Sequence, residues 1–322
     1  ICFNEGSSGV LRLGMPTDQS VPVHTSVGVY HWGLGLDGIS VAGDQGGAAP
    51  LEVCSGKRMR PGQDTACGAI VDSGTTMITG PSEGIAQLLD SVCERWPRCQ
   101  RNHSALQRAA KAAEEAAKKE YGMSPWNIKV SPKFKVLQLL LKDCESWIGE
   151  SSGLAELPPL LFHVAGANGT KQALELPPHA YVLERTESMV VRPPSSSASG
   201  GHTASAAAEA MKALLNATQD RRKVCEPAFS VMEYRTRKNG PVWILGTPFF
   251  YQFNVGYDLG TTPPSLTLRP TSQSPCGSCL VEFGSKVGLV GEGAARLRRG
   301  LRRGLPVEGA PRGPSFDVGE PL

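Results

Sequence analysis

Long apolar runs are missing from this sequence. No stretch of its 322 residues reaches the roughly 18–20 apolar residues a helix needs to cross a bilayer, so no membrane span is expected. Histidine is scarce, with six residues and none in an H-E-x-x-H pattern, so neither a metal site nor a cofactor is expected. A dominant charge is missing too. Lys and Arg number 33 against 30 Asp and Glu, a formal +3, and much of that excess lies in one tail. Nucleic acid is therefore not expected as the main partner. The first residue is Ile1 rather than Met, and no signal-peptide pattern follows it, so processing or truncation upstream is expected.

An apolar share of 40% with 37 Gly and 25 Pro suits a globular, β-rich protein with many turns, in one large or two ordinary domains. Nine cysteines are present: Cys2, Cys54, Cys67, Cys93, Cys99, Cys144, Cys225, Cys276 and Cys279. The odd count leaves one without an internal partner. Three of the seven asparagines, Asn102, Asn168 and Asn216, open N-x-[ST] glycosylation sequons. Cysteines and sequons together favour the oxidising secretory route.

The most informative stretch is Ala69-Ile70-Val71-Asp72-Ser73-Gly74-Thr75-Thr76-Met77-Ile78-Thr79-Gly80-Pro81. A short apolar run, read as a strand, delivers one carboxylate into a turn of small hydroxyl residues and glycine. Gly74 permits close backbone approach, and the hydroxyls of Ser73, Thr75 and Thr76 can bond the carboxylate or one another. Acid/base chemistry needs a carboxylate held in one orientation. The bland alternative is an ordinary strand and turn containing an Asp. A second stretch stands far downstream: Val242-Trp243-Ile244-Leu245-Gly246, then Pro248 through Asp258.

Together the two stretches resemble the C-terminal lobe of the pepsin-like aspartic proteases. In that family a hydrophobic-hydrophobic-Gly strand, here Ile244, Leu245 and Gly246, threads beneath the catalytic Asp-Ser/Thr-Gly loop. The pattern G-x-x-F-x-x-Q-[FY]-x-x-x-[FY]-D runs without a gap from Gly246 to Asp258. The resemblance implies a mostly β fold: a barrel-like lobe with a few short helices and helical or disordered insertions. It assigns catalysis to Asp72, substrate contacts to Gly74, Thr75 and Thr76, and active-site support to Ser73, Ile244, Leu245 and Gly246.

Further segments extend the resemblance. Residues 2–14 look like a turn and closing strand of the family's N-terminal lobe, which leaves Cys2 either partnered in missing sequence or as a free buried thiol. Val29 to Gly43 looks like the first hairpin of the C-terminal lobe, with Tyr30, Trp32, Leu34 and Leu36 on one face and a turn at Asp37-Gly38. The family's pairing habits imply Cys54–Cys67 and Cys144–Cys225. Leu157-Pro158 to Val164 and Pro177-Pro178 to Leu183 match two more family elements. Ile85 to Leu89 reads as a short helix. Ser104 to Lys119, rich in Ala, Glu and Lys, reads as a solvated surface helix capped by Ser104, with Cys93 and Cys99 as a staple at its entrance.

The expected organisation is residues 1–27 as lobe-closing strands and crossover, 28–270 as the catalytic lobe, and 271–322 as a basic, disordered tail. Insertions are placed at about 93–142 and 185–223. The second is Ser/Ala/Gly-rich around Pro193 to Ala208 and is expected to be disordered. In the tail, Cys276 and Cys279 are expected to form a local disulfide, and Arg296, Arg298, Arg299, Arg302 and Arg303 to be solvated.

Carboxylate-driven peptide hydrolysis needs two carboxyl groups sharing one proton: one takes a proton from water and the other polarises the scissile carbonyl. No second D-[ST]-G exists here; Asp64-Thr65-Ala66, the nearest imitation, lacks the glycine. The resemblance therefore implies an aspartic endopeptidase of which this chain carries the second aspartate. Its partners would be a peptide or protein substrate and the missing N-terminal lobe, in a secreted or acidic vacuole-like setting, monomeric when complete. The alternatives are a pepsin-like binding or inhibitory scaffold and, less well supported, a single-lobe homodimer.

Overall fold

The structure, a computed structural model, describes residues 1–42, 51–121, 131–150, 152–189 and 220–277. Asn216, Cys279, the Pro193–Ala208 stretch and the tail arginines lie outside those residues. In chain order the elements are β1 (Val23–Thr25), β2 (Gly33–Val41), β3 (Cys67–Val71), β4 (Ile78–Gly80), α1 (Ser82–Arg95), α2 (Pro97–Tyr121) and α3 (Pro132–Lys142). There follow β5 (Leu160–Ala165), β6 (Lys171–Leu176), α4 (Pro178–Tyr181), β7 (Val182–Met189), β8 (Asp220–Pro227), β9 (Phe229–Val231), β10 (Arg235–Thr236), β11 (Gly240–Leu245), α5 (Thr247–Gln252), β12 (Phe253–Asp258) and β13 (Ser265–Pro270).

The largest sheet runs β6-β5-β2-β3-β11-β4-β9, with β10 added to β11; a second runs β1-β13-β12, and β7 pairs with β8 as a ribbon. Among the described residues no sheet closes on itself, so the lobe is mostly β but not a barrel. The centre is β3, whose five residues are all buried because β2 and β11 flank it. The outer strands β5 and β6 instead alternate in burial, as half-buried strands do. Trp243 of β11 is fully buried, and Gly80 and Gly84 leave room for its indole. Phe162 and Phe249 meet edge to face, 4.9 Å between ring centres, and extend the same core.

Several expectations are corrected. Residues 33–41 form one continuous strand, with a register shift between Leu36 and Gly38 in its pairing with β5 rather than a hairpin turn. The extra residue of such a bulge bends a strand without ending it. Asp37 points outward there and meets Lys171 at 2.7 Å. Leu34 and Leu36 are buried as expected, but Tyr30 precedes the strand and is 67% exposed. The short helix at 85–89 is the fourteen-residue α1, which buries Ile85, Leu88, Leu89 and Val92 along one face. Ser104 lies inside α2, which begins at Pro97, so it caps nothing.

Four disulfides tie the described residues: Cys54–Cys67, Cys93–Cys99, Cys144–Cys225 and Cys2–Cys276. The last overturns both the partnerless Cys2 and the local Cys276–Cys279 bond. Cys2 bridges to Val10 along the backbone, and its Cα lies 5.5 Å from that of Cys276. Chain ends distant in sequence are joined because β13 returns alongside β12, and Phe3 donates its N–H to the Phe250 carbonyl. The outer residues of the 185–223 insertion are regular, since β7 pairs with β8 from Val182–Pro227 to Met189–Asp220.

The start of helix α2 is pinned by Arg98. Its guanidinium donates to Glu156 at 2.7 and 2.9 Å and to Glu150 at 2.5 Å, and lies 5.4 Å from the centre of the Trp147 ring. Trp96, edge-on to Trp147, adds an indole N–H to Glu156. The bonds from Arg98, foremost, hold the Glu156 carboxyl down to about 2, against an ordinary value of 4.5. A depressed carboxyl contributes stability that is complete above 4.5 and is lost as pH falls through 2. The Arg98 and Glu156 side chains are only 18% and 16% exposed. Glu156→Gln is therefore expected to cost about 1–3 kcal/mol at pH 7. In thermal melts against the wild type, that difference should persist at pH 5 and shrink between about pH 4.5 and 2; a pH-independent difference would remove the ion pair from the account.

Candidate active site

Asp72 follows the last residue of β3, where β3 and β11 run parallel with Val71 opposite Leu245. Its N–H donates to the Leu245 carbonyl at 3.2 Å, so the ladder carries one bond into the loop. The carboxylate is held from two sides. Gly74 N–H donates to Oδ1 at 2.9 Å, and the Thr75 hydroxyl donates to Oδ2 at 2.6 Å. Each oxygen thus spends one lone pair on the loop and retains capacity for another partner.

The loop is braced from below by the chain leaving β11. Thr247 gives both its N–H (2.7 Å) and its hydroxyl (2.9 Å) to the Thr75 carbonyl. Gly246 passes directly under that carbonyl: a Cβ there would run into the Thr75 and Met77 carbonyl oxygens. Tyr257 of β12 donates its hydroxyl to the Val71 carbonyl at 3.1 Å and stacks edge-on with Trp32 at 4.9 Å. Burial, and then the charge of Asp72, push the Tyr257 hydroxyl well above its ordinary value. It stays a neutral donor at any pH the protein meets.

Asp72 and Ser73 open onto a cleft of about 1100 Å³, with Trp32 and Tyr257 on one side and residues Val10–Gln19 on the other. Leu11, Leu13, Met15 and Leu259 line it while being 61–84% exposed. Two other carboxylates, Asp18 and Asp258, also line it, and both are committed. Asp18 accepts from Ser20 and meets Arg269 at 2.8 Å; Asp258 accepts from the Thr17 hydroxyl and from Gly260 N–H. Hydrogen bonds, from Ser20 and Thr17 respectively, hold both below the usual carboxylate range.

Of the residues read from sequence, Asp72, Ser73, Gly74, Thr75, Ile244, Leu245 and Gly246 converge on this loop. Thr75 spends its hydroxyl on Asp72, and neither it, Gly74 nor Thr76 lines the cleft. Asp64 lies elsewhere, on a turn paired with Lys238. Sequence reasoning missed Trp32, Thr247 and Tyr257 as supports. Tyr257 belonged to the matched pattern, but nothing local indicated that its hydroxyl reaches Val71.

With this geometry in place, comparison identifies the class. The model of the eukaryotic aspartyl protease family matches residues 20–267, and the chain belongs to that family of aspartic-type peptidases, whose substrates are peptides. No curated protein matches the chain. The disulfides fit the oxidising compartments typical of the family, and among the described residues no helix is long and apolar enough to cross a membrane.

Gly246→Ala is expected to cost at least about 1–3 kcal/mol, because the obstructing atoms are backbone and cannot rotate away. Gly74→Ala, whose Cβ would meet only an Asp72 oxygen at 3.2 Å, should cost under about 1 kcal/mol. Urea titrations of the two variants check this ordering, and equal losses would contradict the crossing.

Proposed function

We propose that the chain is the second-aspartate lobe of an aspartic endopeptidase, with Asp72 as its catalytic carboxylate. One observation carries the reading. Asp72 is fixed by two donors at the edge of a large cleft, while the other carboxylates of that cleft are tied to partners that keep them ionised. A dyad needs one protonated member when it binds substrate. Neither Asp18 nor Asp258 suits that part, so the second carboxyl group comes from a lobe bearing the other D-[ST]-G. That lobe would cover the apolar face of Leu11, Leu13, Met15 and Leu259.

In the complete enzyme the ionised carboxylate takes a proton from water, the water oxygen attacks the scissile carbonyl, and the protonated carboxyl hydrogen-bonds the carbonyl oxygen. The pair titrates as a unit, so activity belongs to acid pH. Gly74 and Thr75 orient Asp72 through the bonds they donate; Ser73, Ile244, Leu245 and Gly246 support the loop. Residues 1–27 serve as closing strands and crossover, 28–270 as the catalytic lobe, and 271–322 as the tail of a complete monomer on the secretory route. Asn102 on α2 and Asn168 between β5 and β6 are exposed, as glycan acceptors must be. A second reading, a binding scaffold without turnover, keeps the fold but gives no chemical use for the two bonds on Asp72.

Cleavage of an unstructured protein between pH 3 and 6 tests this, using the chain and its Asp72→Asn variant with and without a transition-state-mimicking inhibitor. The chain alone should show no turnover. Adding a lobe that carries D-[ST]-G should give inhibitor-sensitive cleavage, lost in Asp72→Asn. Turnover by the chain alone, lost in that variant, would favour a homodimer. A bound but inactive pair would favour the scaffold.

A further inference from the structure

A second recess lies on another part of the lobe. It holds about 310 Å³ and is walled by Ile85 and Leu89 of α1, Phe134 of α3, Phe229 and Val231 of β9, and Met77. Its polar rim includes Ser82, Gln138 and Glu226, the last paired with Arg185. Helix α3 belongs to the insertion, so the insertion builds a wall of the recess as well as a surface. Ser131 caps α3 by accepting from Phe134 N–H at 3.1 Å, which fixes the helical turn that presents Phe134.

What gives the recess a direction is the strand beside it. Among the described residues β9 pairs only with β4, and it ends the large sheet. The Ala228 carbonyl accepts from Ile78 N–H, and Met232 N–H donates to the Gly80 carbonyl, both at 2.9 Å. Residues 228, 230 and 232 therefore turn their backbone groups toward β4. By the two-residue period of a strand, Phe229 and Val231 turn theirs to the open edge. The same two side chains lie on one face and line the recess. An open edge with unspent donors and acceptors, flanked by an apolar pocket at alternate positions, is what an added extended strand requires.

We propose that β9 and this recess form a secondary docking site for an extended polypeptide segment carrying a large apolar side chain. The segment adds to the β9 edge by backbone hydrogen bonds and inserts that side chain between α1 and α3. Val231, 43% exposed, is the accessible centre of the site. Met77 links the site to the catalytic loop, since its carbonyl packs against Gly246 beneath Thr75. A polypeptide lying along the loop can thus continue onto the edge. That this polypeptide is a substrate rests on the proteolytic reading; the docking itself does not.

The test uses the whole chain and a fluorescein-labelled ten-residue peptide of alternating leucine and threonine, followed by anisotropy. Saturable binding is expected, at least tenfold weaker for a peptide with proline at every threonine position and N-methylated leucines, which has no backbone N–H to donate to an edge. Val231→Pro keeps an apolar side chain but removes the outward N–H, and an edge position tolerates proline. It should weaken binding about tenfold or more, as should Val231→Asp, while both variants keep the wild-type melting temperature within a few degrees. Asp72→Asn should bind as the wild type does. Loss of binding in Asp72→Asn would place the peptide in the main cleft, supporting the proteolytic reading and overturning this one. Equal binding by the proline peptide would overturn edge pairing. Sedimentation showing a wild-type dimer that Val231→Asp dissolves would make the edge a self-interface and would also overturn the proposal.

Discussion

The parallel pairing of β3 with β11 is the contact on which the rest of this lobe depends. It brings together two stretches separated by most of the chain and ends them at the same height, Val71 beside Leu245. The ladder then runs one bond further, to Asp72, and the chain leaving β11 must pass beneath the loop that β3 has just opened. Only a residue without a side chain fits between two carbonyl oxygens there. Once Gly246 has passed, Thr247 is placed to grip the Thr75 carbonyl, and Thr75 to grip Asp72. The orientation of one carboxylate is thus the end of a chain of backbone and hydroxyl contacts.

Around that crossing the fold places its charges with donors. Asp18, Asp258, Glu156 and Glu233 all accept hydrogen bonds that favour their ionised forms. Asp90 is the exception: half-buried between α1 and the start of α3, it is pushed upward first by desolvation, with the Ser131 hydroxyl opposing. Acid therefore relieves a strain at Asp90 while leaving the Arg98–Glu156 pin ionised until the pH approaches 2.

Helices α2 and α3 also shape what the lobe presents. Cys93–Cys99 and the Trp96–Trp147 pair fasten the first turn of the alanine-rich helix α2 to the core. Helix α3 packs beside α1 and completes an apolar recess next to the open edge of β9. The described residues therefore include an apolar face beside Asp72 and another at this edge, with the Thr75–Met77 backbone between them.

The sequence by itself determined the family and picked out the loop that holds Asp72. The Asp72-Ser73-Gly74 turn and the Gly246-to-Asp258 pattern are local signals, because a turn that holds a carboxylate and a glycine that must be bare leave a mark at fixed positions. The apolar run ending at Val71 was legible for the same reason, and a helix at 85–89 was legible without its full length. Only the tertiary structure decided the rest. The partner of Cys2 depends on β13 returning along β12, which no spacing encodes. Asp37 proved to be a bulge rather than a turn because β5 continues to pair on its far side, and a strand's neighbour is not written in its own residues. The hydroxyl of Tyr257 and the doubled bonds of Thr247 act across the fold, where ordinary residue types acquire roles from what the packing sets opposite them.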